Sequence, residues 1–347
     1  MTALPTPTLR RATLPGDERA LPDTFGRVAR DLRVSVTDRC NLRCTYCMPA
    51  EGLPWLPKDE TLTDAEMLRL VGIFVDLGVR QVRLTGGEPL LRRSVVELVA
   101  GIAALEPRPQ IAMTTNGVGL ARLAAPLALA GLDRVNVSLD TVDAEVFSRL
   151  TRRDRLVDVE KGLVAAAEAG LTPVKVNAVA MRGVNDASVA DVLSWCLERG
   201  YELRFIEQMP LDAQHGWDRS EMISAAELRE RLSERFELTP LPDADRGSAP
   251  AERFLVDGGP QTVGIIASVS EPFCAACDRT RLTADGQVRN CLFSERETDL
   301  RAPMRQGATD GELAALIRGE MWRKARGHGI GEPGFQQPDR PMSAIGG

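Results

Sequence analysis

The sequence predicts an α/β fold of repeated βα units on a parallel sheet, and three observations carry the prediction. Six short β-rich runs, at 32–36, 81–85, 110–114, 134–139, 174–180 and 203–207, recur at intervals of roughly 20–45 residues. The stretches between them are amphipathic and carry helix start and stop signals. The 347 residues are 44% apolar and 27% charged, an ordinary globular composition with length for a sizeable core. Six units are too few for a closed eight-stranded barrel. An open partial barrel and an open doubly wound sheet fit the count equally well.

Residues 1–22 hold Pro5, Pro7, Pro15 and Pro22 without sustained periodicity and read as a disordered tail. Thr63-Asp64-Ala65-Glu66 is a capping box that opens a helix stopping at Gly78. Further helices are expected over 158–169, closed by Gly170, and over 186–199, closed by Gly200. A second box, Ser224-Ala225-Ala226-Glu227, opens another helix. Residues 239–252 are rich in Pro, Asp and Ala and read as a linker or long surface loop. Beyond them come a strand at 262–269, a hairpin over 282–289 turned by Asp285-Gly286, and a helix at 310–325. The expected division is therefore a tail at 1–22, a main α/β domain at 23–250 and a smaller domain at 251–347.

The net charge of −6 argues against a broadly basic nucleic-acid binder. It leaves room for a local cationic site, because exposed charges are screened beyond about 8–10 Å. No apolar run approaches the length of a membrane span, and the start lacks the pattern of a secretory signal. Seven cysteines, an odd number in such a chain, read as reduced thiols in a cytoplasmic protein.

Six of those cysteines fall in two groups. Cys40-x3-Cys44-x2-Cys47 follows the first β-run, and Cys274-x2-Cys277-x13-Cys291 lies near the C-terminus. Three thiolates on a short loop suit zinc or an iron–sulfur cluster. A structural zinc wants a fourth Cys or His, and His215 and His328 are close to neither group. A four-iron cubane on three thiolates keeps one iron open for a reactant. A zinc-stabilised scaffold stays as the non-enzymatic alternative, and the seventh cysteine, Cys196, reads as core.

The first group, paired with Gly86-Gly87-Glu88-Pro89 after the second run, resembles the radical S-adenosylmethionine (SAM) superfamily. The second group narrows the resemblance to the GTP 3′,8-cyclase family of molybdenum cofactor biosynthesis. So do Thr114-Thr115-Asn116-Gly117, Asn136-Val137-Ser138-Leu139-Asp140, Arg204-Phe205-Ile206-Glu207, Cys274 to Arg281 and the closing Gly346-Gly347. The similarity runs from Phe25 to Gly347. Ser94 departs from a frequent Asp, and both residue types cap helices.

The resemblance implies a partial (βα)6 TIM-like barrel whose open side is covered by a C-terminal domain carrying a second iron–sulfur cluster. It implies two [4Fe-4S] clusters as cofactors, one on each cysteine group, with SAM on the open iron of the first. A 5′-deoxyadenosyl radical would take the 3′ hydrogen of GTP, and closure onto guanine C8 would give 3′,8-cyclo-7,8-dihydro-GTP. One-electron cleavage of SAM needs a strong reductant. Iron–sulfur potentials reach about −700 mV, whereas zinc has no redox chemistry to offer. By the same resemblance Tyr46, Gly86, Gly87, Ser138 and Met209 contact SAM. Arg33, Arg83, Thr114, Lys175, Arg279, Thr280 and Arg281 contact GTP, and Arg279, Arg281 and the Gly346-Gly347 tail reach the chemistry. Implied partners are a flavodoxin- or ferredoxin-type reductant, a cyclic pyranopterin monophosphate synthase that takes the product, and a second copy in a homodimer. A two-cluster enzyme acting on a peptide is the enzymatic alternative.

Overall fold

A computed structural model describes residues 20–242 and 246–346. The six runs form β1 (Asp31–Ser35), β2 (Gln81–Thr85), β3 (Gln110–Thr115), β4 (Arg134–Ser138), β5 (Lys175–Ala180) and β6 (Glu202–Glu207), each within one residue of its expected bounds. The C-terminal third adds β7 (Leu238–Pro240), β8 (Glu252–Val256), β9 (Thr262–Ile266), β10 (Arg279–Leu282), β11 (Gln287–Arg289) and β12 (Thr298–Asp299). All twelve lie in one sheet of order β12-β11-β10-β1-β2-β3-β4-β5-β6-β9-β8-β7. From β10 to β9 the neighbours run parallel, and antiparallel pairs finish both edges. The sheet stays open, since β12 and β7 each have one neighbour. One cavity touches residues of every strand from β10 to β6 and Ile266 of β9, so the sheet curls around it. This is the partial barrel.

Ten helices among the described residues connect and flank the strands: α1 (Asp64–Asp76), α2 (Val95–Ala103), α3 (Leu120–Leu129), α4 (Ala144–Thr151), α5 (Leu156–Glu168), α6 (Val189–Glu198), α7 (Ala225–Ser233), α8 (Arg301–Arg305), α9 (Asp310–Trp322) and α10 (Met342–Ile345). The capping boxes at Thr63–Glu66 and Ser224–Glu227 form as expected, and a third opens α9 at Thr309–Glu312. Ser94 stands at the N-cap of α2 but its hydroxyl makes no capping bond. None of the described helices is long and apolar enough to cross a membrane.

Two expected boundaries differ. Residue 250 marks no break: strands from the C-terminal third extend the barrel sheet at both edges, and one apolar cluster holds Val34 and Leu84 together with Phe254, Leu282 and Leu313. The 239–252 stretch is accordingly a connection between paired strands, with Leu238 opposite Val256 and Pro240 opposite Phe254, and not a link between domains. The tail expected through residue 22 also ends sooner. Leu21 is fully buried and Pro22 bridges to Val28, an apolar anchor that the surrounding prolines disguised. The rest of that reading, 1–19, lies outside the described residues.

Candidate active site

Strand alternation builds the site. Successive side chains of a strand point to opposite faces. Along β4, Arg134, Asn136 and Ser138 line the cavity, while Val135 and Val137 are buried on the other face. The same sorting puts Asp31 and Arg33 of β1, Gln81 and Arg83 of β2, Lys175 and Asn177 of β5, Glu202 and Arg204 of β6, and Arg279 and Arg281 of β10 on the cavity wall. The space measures about 780 Å³, within the range of small-molecule sites.

The wall is cationic and under-paired. Arg33 stands in register with Arg83 on one side and Arg281 on the other, and Arg83 is followed across the sheet by Ala112 and Arg134. Nε of Arg33, Arg83, Arg134, Arg279 and Arg281, and Nη1 of Arg83, are buried without a hydrogen-bond partner. Burial pushes the Arg33, Arg83 and Arg281 guanidinium pKa values down, and neighbouring arginines push further. Burial alone would raise the Asp31 carboxyl, but Arg33, Arg83, Arg279 and Arg281 together hold it below its usual value. Lys175 is closely paired, with Nζ 2.6 Å from Glu202 Oε2, whereas Arg204 stands 3.9 Å from the same carboxylate and Arg279 Nε 3.9 Å from Asp31 Oδ2. Such a set of orphaned donors has the chemistry of a polyanion site.

The first cysteine loop leaves the C-terminal end of β1 and packs on the end of β2. Gly87 N donates to Thr37 O at 2.8 Å and Glu88 N to Arg39 O at 2.7 Å. A Cβ on Gly87 would overlap the Asp38 and Arg39 carbonyls, and one on Gly86 (φ +140) the Thr37 carbonyl. Both glycines thus seat the loop itself. Glu88 is fully buried and accepts from Leu90 N, Thr115 Oγ1 and Asn116 N at 2.6–3.0 Å. Asn116 Nδ2 in turn reaches Asn41 Oδ1 at 2.7 Å and Cys40 Sγ at 3.8 Å. Burial raises the Glu88 carboxyl to about 7 and that of Asp140 to about 6; Asp140 accepts from Tyr46 Oη at 2.9 Å. Burial also raises the Cys40, Cys44 and Cys47 thiols.

Cys274, Cys277 and Cys291 open onto the cavity itself, beside Arg279 and Arg281. Lys324 Nζ lies 3.5 Å from Cys277 Sγ and Arg279 Nη1 3.7 Å. Burial would raise that thiol, but the Lys324 and Arg279 charges bring it down to about 7. The chain end returns to the first loop: Arg340 pairs with Asp285 and Glu297, and Gly346 packs so tightly on Ser35 and Thr85 that a Cβ would overlap Thr85 Oγ1. Gly347 lies outside the described residues.

The cavity thus gathers Arg33, Tyr46, Arg83, Thr114, Ser138, Lys175, Met209, Cys274, Cys277, Arg279, Arg281 and Cys291 from the expected set. Cys40, Cys44, Cys47, Gly86, Gly87 and Gly346 form the adjoining loop and tail region. Thr280 is fully buried on the opposite strand face, where its hydroxyl donates to Arg289 O, so any contact with a ligand runs through its main chain. Asp31, Arg134, Asn136, Asn177 and Arg204 also line the cavity, and the sequence reading assigns none of them a ligand, although Asn136 and Arg204 lie in the stretches that carry the resemblance. Their signal was present as polar residues at every second position of otherwise apolar runs. Among the described residues no group of three or more His, Cys, Asp or Glu is set to hold a single metal ion. In a cubane each thiolate ligates a different iron, so three thiols spread along one loop suit that group.

A curled, open parallel sheet with a three-cysteine loop after its first strand defines a radical SAM protein. Residues 34–196 match the Radical SAM superfamily and residues 201–330 the Molybdenum Cofactor Synthesis C family. A GTP 3′,8-cyclase of Streptomyces coelicolor is 63% identical over 340 residues, covering 98% of this chain and 100% of the relative. One from Mycolicibacterium smegmatis is 59% identical over 362 residues, covering 100% and 99%. The chain belongs to the GTP 3′,8-cyclase family. Among solved structures, Streptococcus suis SuiB bound to S-adenosylmethionine superposes with a TM-score of 0.56 at 13% identity, covering 90% of this chain and 76% of that one. Native anSMEcpe with bound AdoMet gives 0.56 at 16%, covering 86% and 81%. These last two share the fold.

Proposed function

We propose that the chain converts GTP to 3′,8-cyclo-7,8-dihydro-GTP, with a SAM-binding [4Fe-4S] cluster on Cys40, Cys44 and Cys47 and a second cluster on Cys274, Cys277 and Cys291. The observation that carries this reading is the row Arg281–Arg33–Arg83, in register and unpaired on the wall between the two cysteine groups. When bound, the first cluster and SAM supply a 5′-deoxyadenosyl radical, and the hydrogen it takes is that on GTP C3′.

The residues of the chain orient and shield. Arg33, Arg83, Arg281 and Lys175 receive the triphosphate, each arginine–phosphate hydrogen bond contributing about 1.5–3 kcal/mol. Thr114 adds a hydroxyl. Arg279 and Arg281 would hold the nucleotide beside Cys274, Cys277 and Cys291, which would hold a second cluster able to supply a coordination site for the guanine. Gly86, Gly87, Ser138, Met209 and the Tyr46 backbone seat SAM at the other end. Gly346, packed on Ser35 and Thr85, brings the end of the described chain against the strands that carry the first cysteine loop and the glycine pair. A flavodoxin- or ferredoxin-type protein supplies the electron and a cyclic pyranopterin monophosphate synthase consumes the product. A cytoplasmic location, where thiols stay reduced, suits the cluster ligands.

The test is isotopic. Reduced, cluster-loaded protein given SAM and GTP deuterated at C3′ is expected to yield deuterated 5′-deoxyadenosine. Label retained on the nucleotide overturns the reading, as does SAM cleavage triggered by a peptide and not by GTP.

A further inference from the structure

We propose that Lys324 is a positioning residue for the second cluster: its buried ammonium holds a fixed positive charge on Cys277 and sets that cluster's reduction potential above that of the first. The proposal rests on the reading that Cys274, Cys277 and Cys291 hold a cluster.

Lys324 follows α9 and is 3% exposed. An ammonium has three N–H donors. Here they face three acceptors: Arg279 O at 2.8 Å, Cys277 O at 3.1 Å and Cys277 Sγ at 3.5 Å. The donor set is therefore used up inside the protein, and Lys324, unlike Lys175, has none left for substrate. Two of the acceptors are neutral carbonyls. A buried cation is costly unless a negative charge faces it, and the only one in its contact set is the Cys277 thiolate. The same two carbonyls tie the cysteine to Arg279 at the start of β10, so one side chain fixes a cluster ligand relative to a nucleotide-binding arginine. The chain uses Arg almost everywhere, with only four Lys among 43 basic residues. The planar five-donor fork of Arg cannot reproduce a compact three-acceptor cage.

Among the described residues no ammonium or guanidinium donates to a thiol of the first cysteine group, where Arg43 is the nearby charge. The side chain at Cys40 Sγ is the neutral amide of Asn116, and Arg43 donates to the Cys40 and Leu42 carbonyls, not to sulfur. Two carboxyls, Glu88 and Asp140, flank that loop. Positive charge and hydrogen bonds at cluster sulfurs raise the potential, so the two clusters separate, with the first the stronger reductant.

The experiment is a redox titration followed by electron paramagnetic resonance on the full-length, reconstituted chain, with a Cys40, Cys44 and Cys47→Ala chain to assign the second cluster's signal. In Lys324→Met the reduced-to-oxidised ratio of the second cluster at fixed ambient potential is expected to fall about tenfold, a shift of about −59 mV for one electron. The first cluster is expected to stay put. Lys324→Gln keeps N–H donors without the charge and is expected to shift likewise. Iron retained at the second group with an unmoved potential overturns the proposal. Loss of that iron in both variants also overturns it, making Lys324 a structural brace. Wild-type chain without iron at Cys274, Cys277 and Cys291 instead overturns the two-cluster reading.

Discussion

Arg33 and Arg83 stand opposite each other in the parallel β1–β2 pair, two like charges on adjacent strands with Nε of both lacking any partner. Like charges directly across a sheet destabilise it, and a buried donor without an acceptor costs about 1–3 kcal/mol. The fold tolerates this because the missing partner is a ligand. Arg83→Met is therefore expected to raise the stability of the nucleotide-free chain by about 1 kcal/mol while weakening GTP binding at least about tenfold. Thermal melts with and without GTP separate the two effects. A variant that melts lower without nucleotide and binds it as well as wild type would refute this view of the wall.

Glu202 offers the converse case. Its carboxylate holds Lys175 at 2.6 Å and stands 3.9 Å from Arg204, so a phosphate approaching the same cations meets a negative charge. Glu202→Gln frees Lys175 and removes the repulsion. Since Glu202 is partly exposed, the gain is modest: GTP binding tighter by about three- to fivefold, or ~0.6–1 kcal/mol. The advantage shrinks as salt is added, because the interaction is screened. Binding isotherms at low and high ionic strength measure it, and equal affinities at low salt count against it.

Much of this wall is legible in the amino-acid sequence. The β1 to β6 runs carry β-branched residues, and Arg33, Arg83 and Lys175 are reached through the family resemblance. Arg134, Asn136 and Asn177 carry the same alternation, but their role appears only when β3 and β5 bring them beside Arg83 and Lys175. Three helices gave weak signals for physical reasons. α2 has a Ser94 cap that makes no bond, α3 contains Pro126, and α4 has eight residues. The pairing of β10 with β1 spans the length of the chain, and no local periodicity encodes it. Lys324 is likewise silent in sequence: its partners Cys277 and Arg279 are 47 and 45 residues away.

Gly87 tests what the glycine pair is for. Its backbone lies against the Asp38 and Arg39 carbonyls, and a Cβ there overlaps main chain, which cannot swing aside as a flexible side chain does. Gly87→Ala is expected to push the first cysteine loop off β2 while the second group, on other strands, is untouched. Iron after reconstitution should fall from about eight to about four per chain. An alanine variant that keeps the full iron complement would refute the seating role and leave Gly87 with its SAM contact alone.

Glu88 makes the stability of that seat depend on pH. Burial lifts its carboxyl from 4.5 to about 7 in the folded chain. A raised carboxyl pKa means that the native state holds the proton more tightly than the unfolded one. Its contribution is thus fully present below the unfolded value and is lost as pH rises through about 7, up to about 3 kcal/mol in all. Asp140, raised to about 6, acts with the same sign but is spent a unit earlier. Three donors, Leu90 N, Thr115 Oγ1 and Asn116 N, already face Glu88 and limit the loss once it ionises. Urea unfolding of the metal-free, reduced chain across about pH 4 to 8 should show wild-type stability declining more steeply than that of Glu88→Gln. The gap between the two curves should widen up to about pH 7 and then level off. Parallel curves over that window would mean that the carboxylate is as well solvated by its three donors as it is by water, and that burial does not govern it.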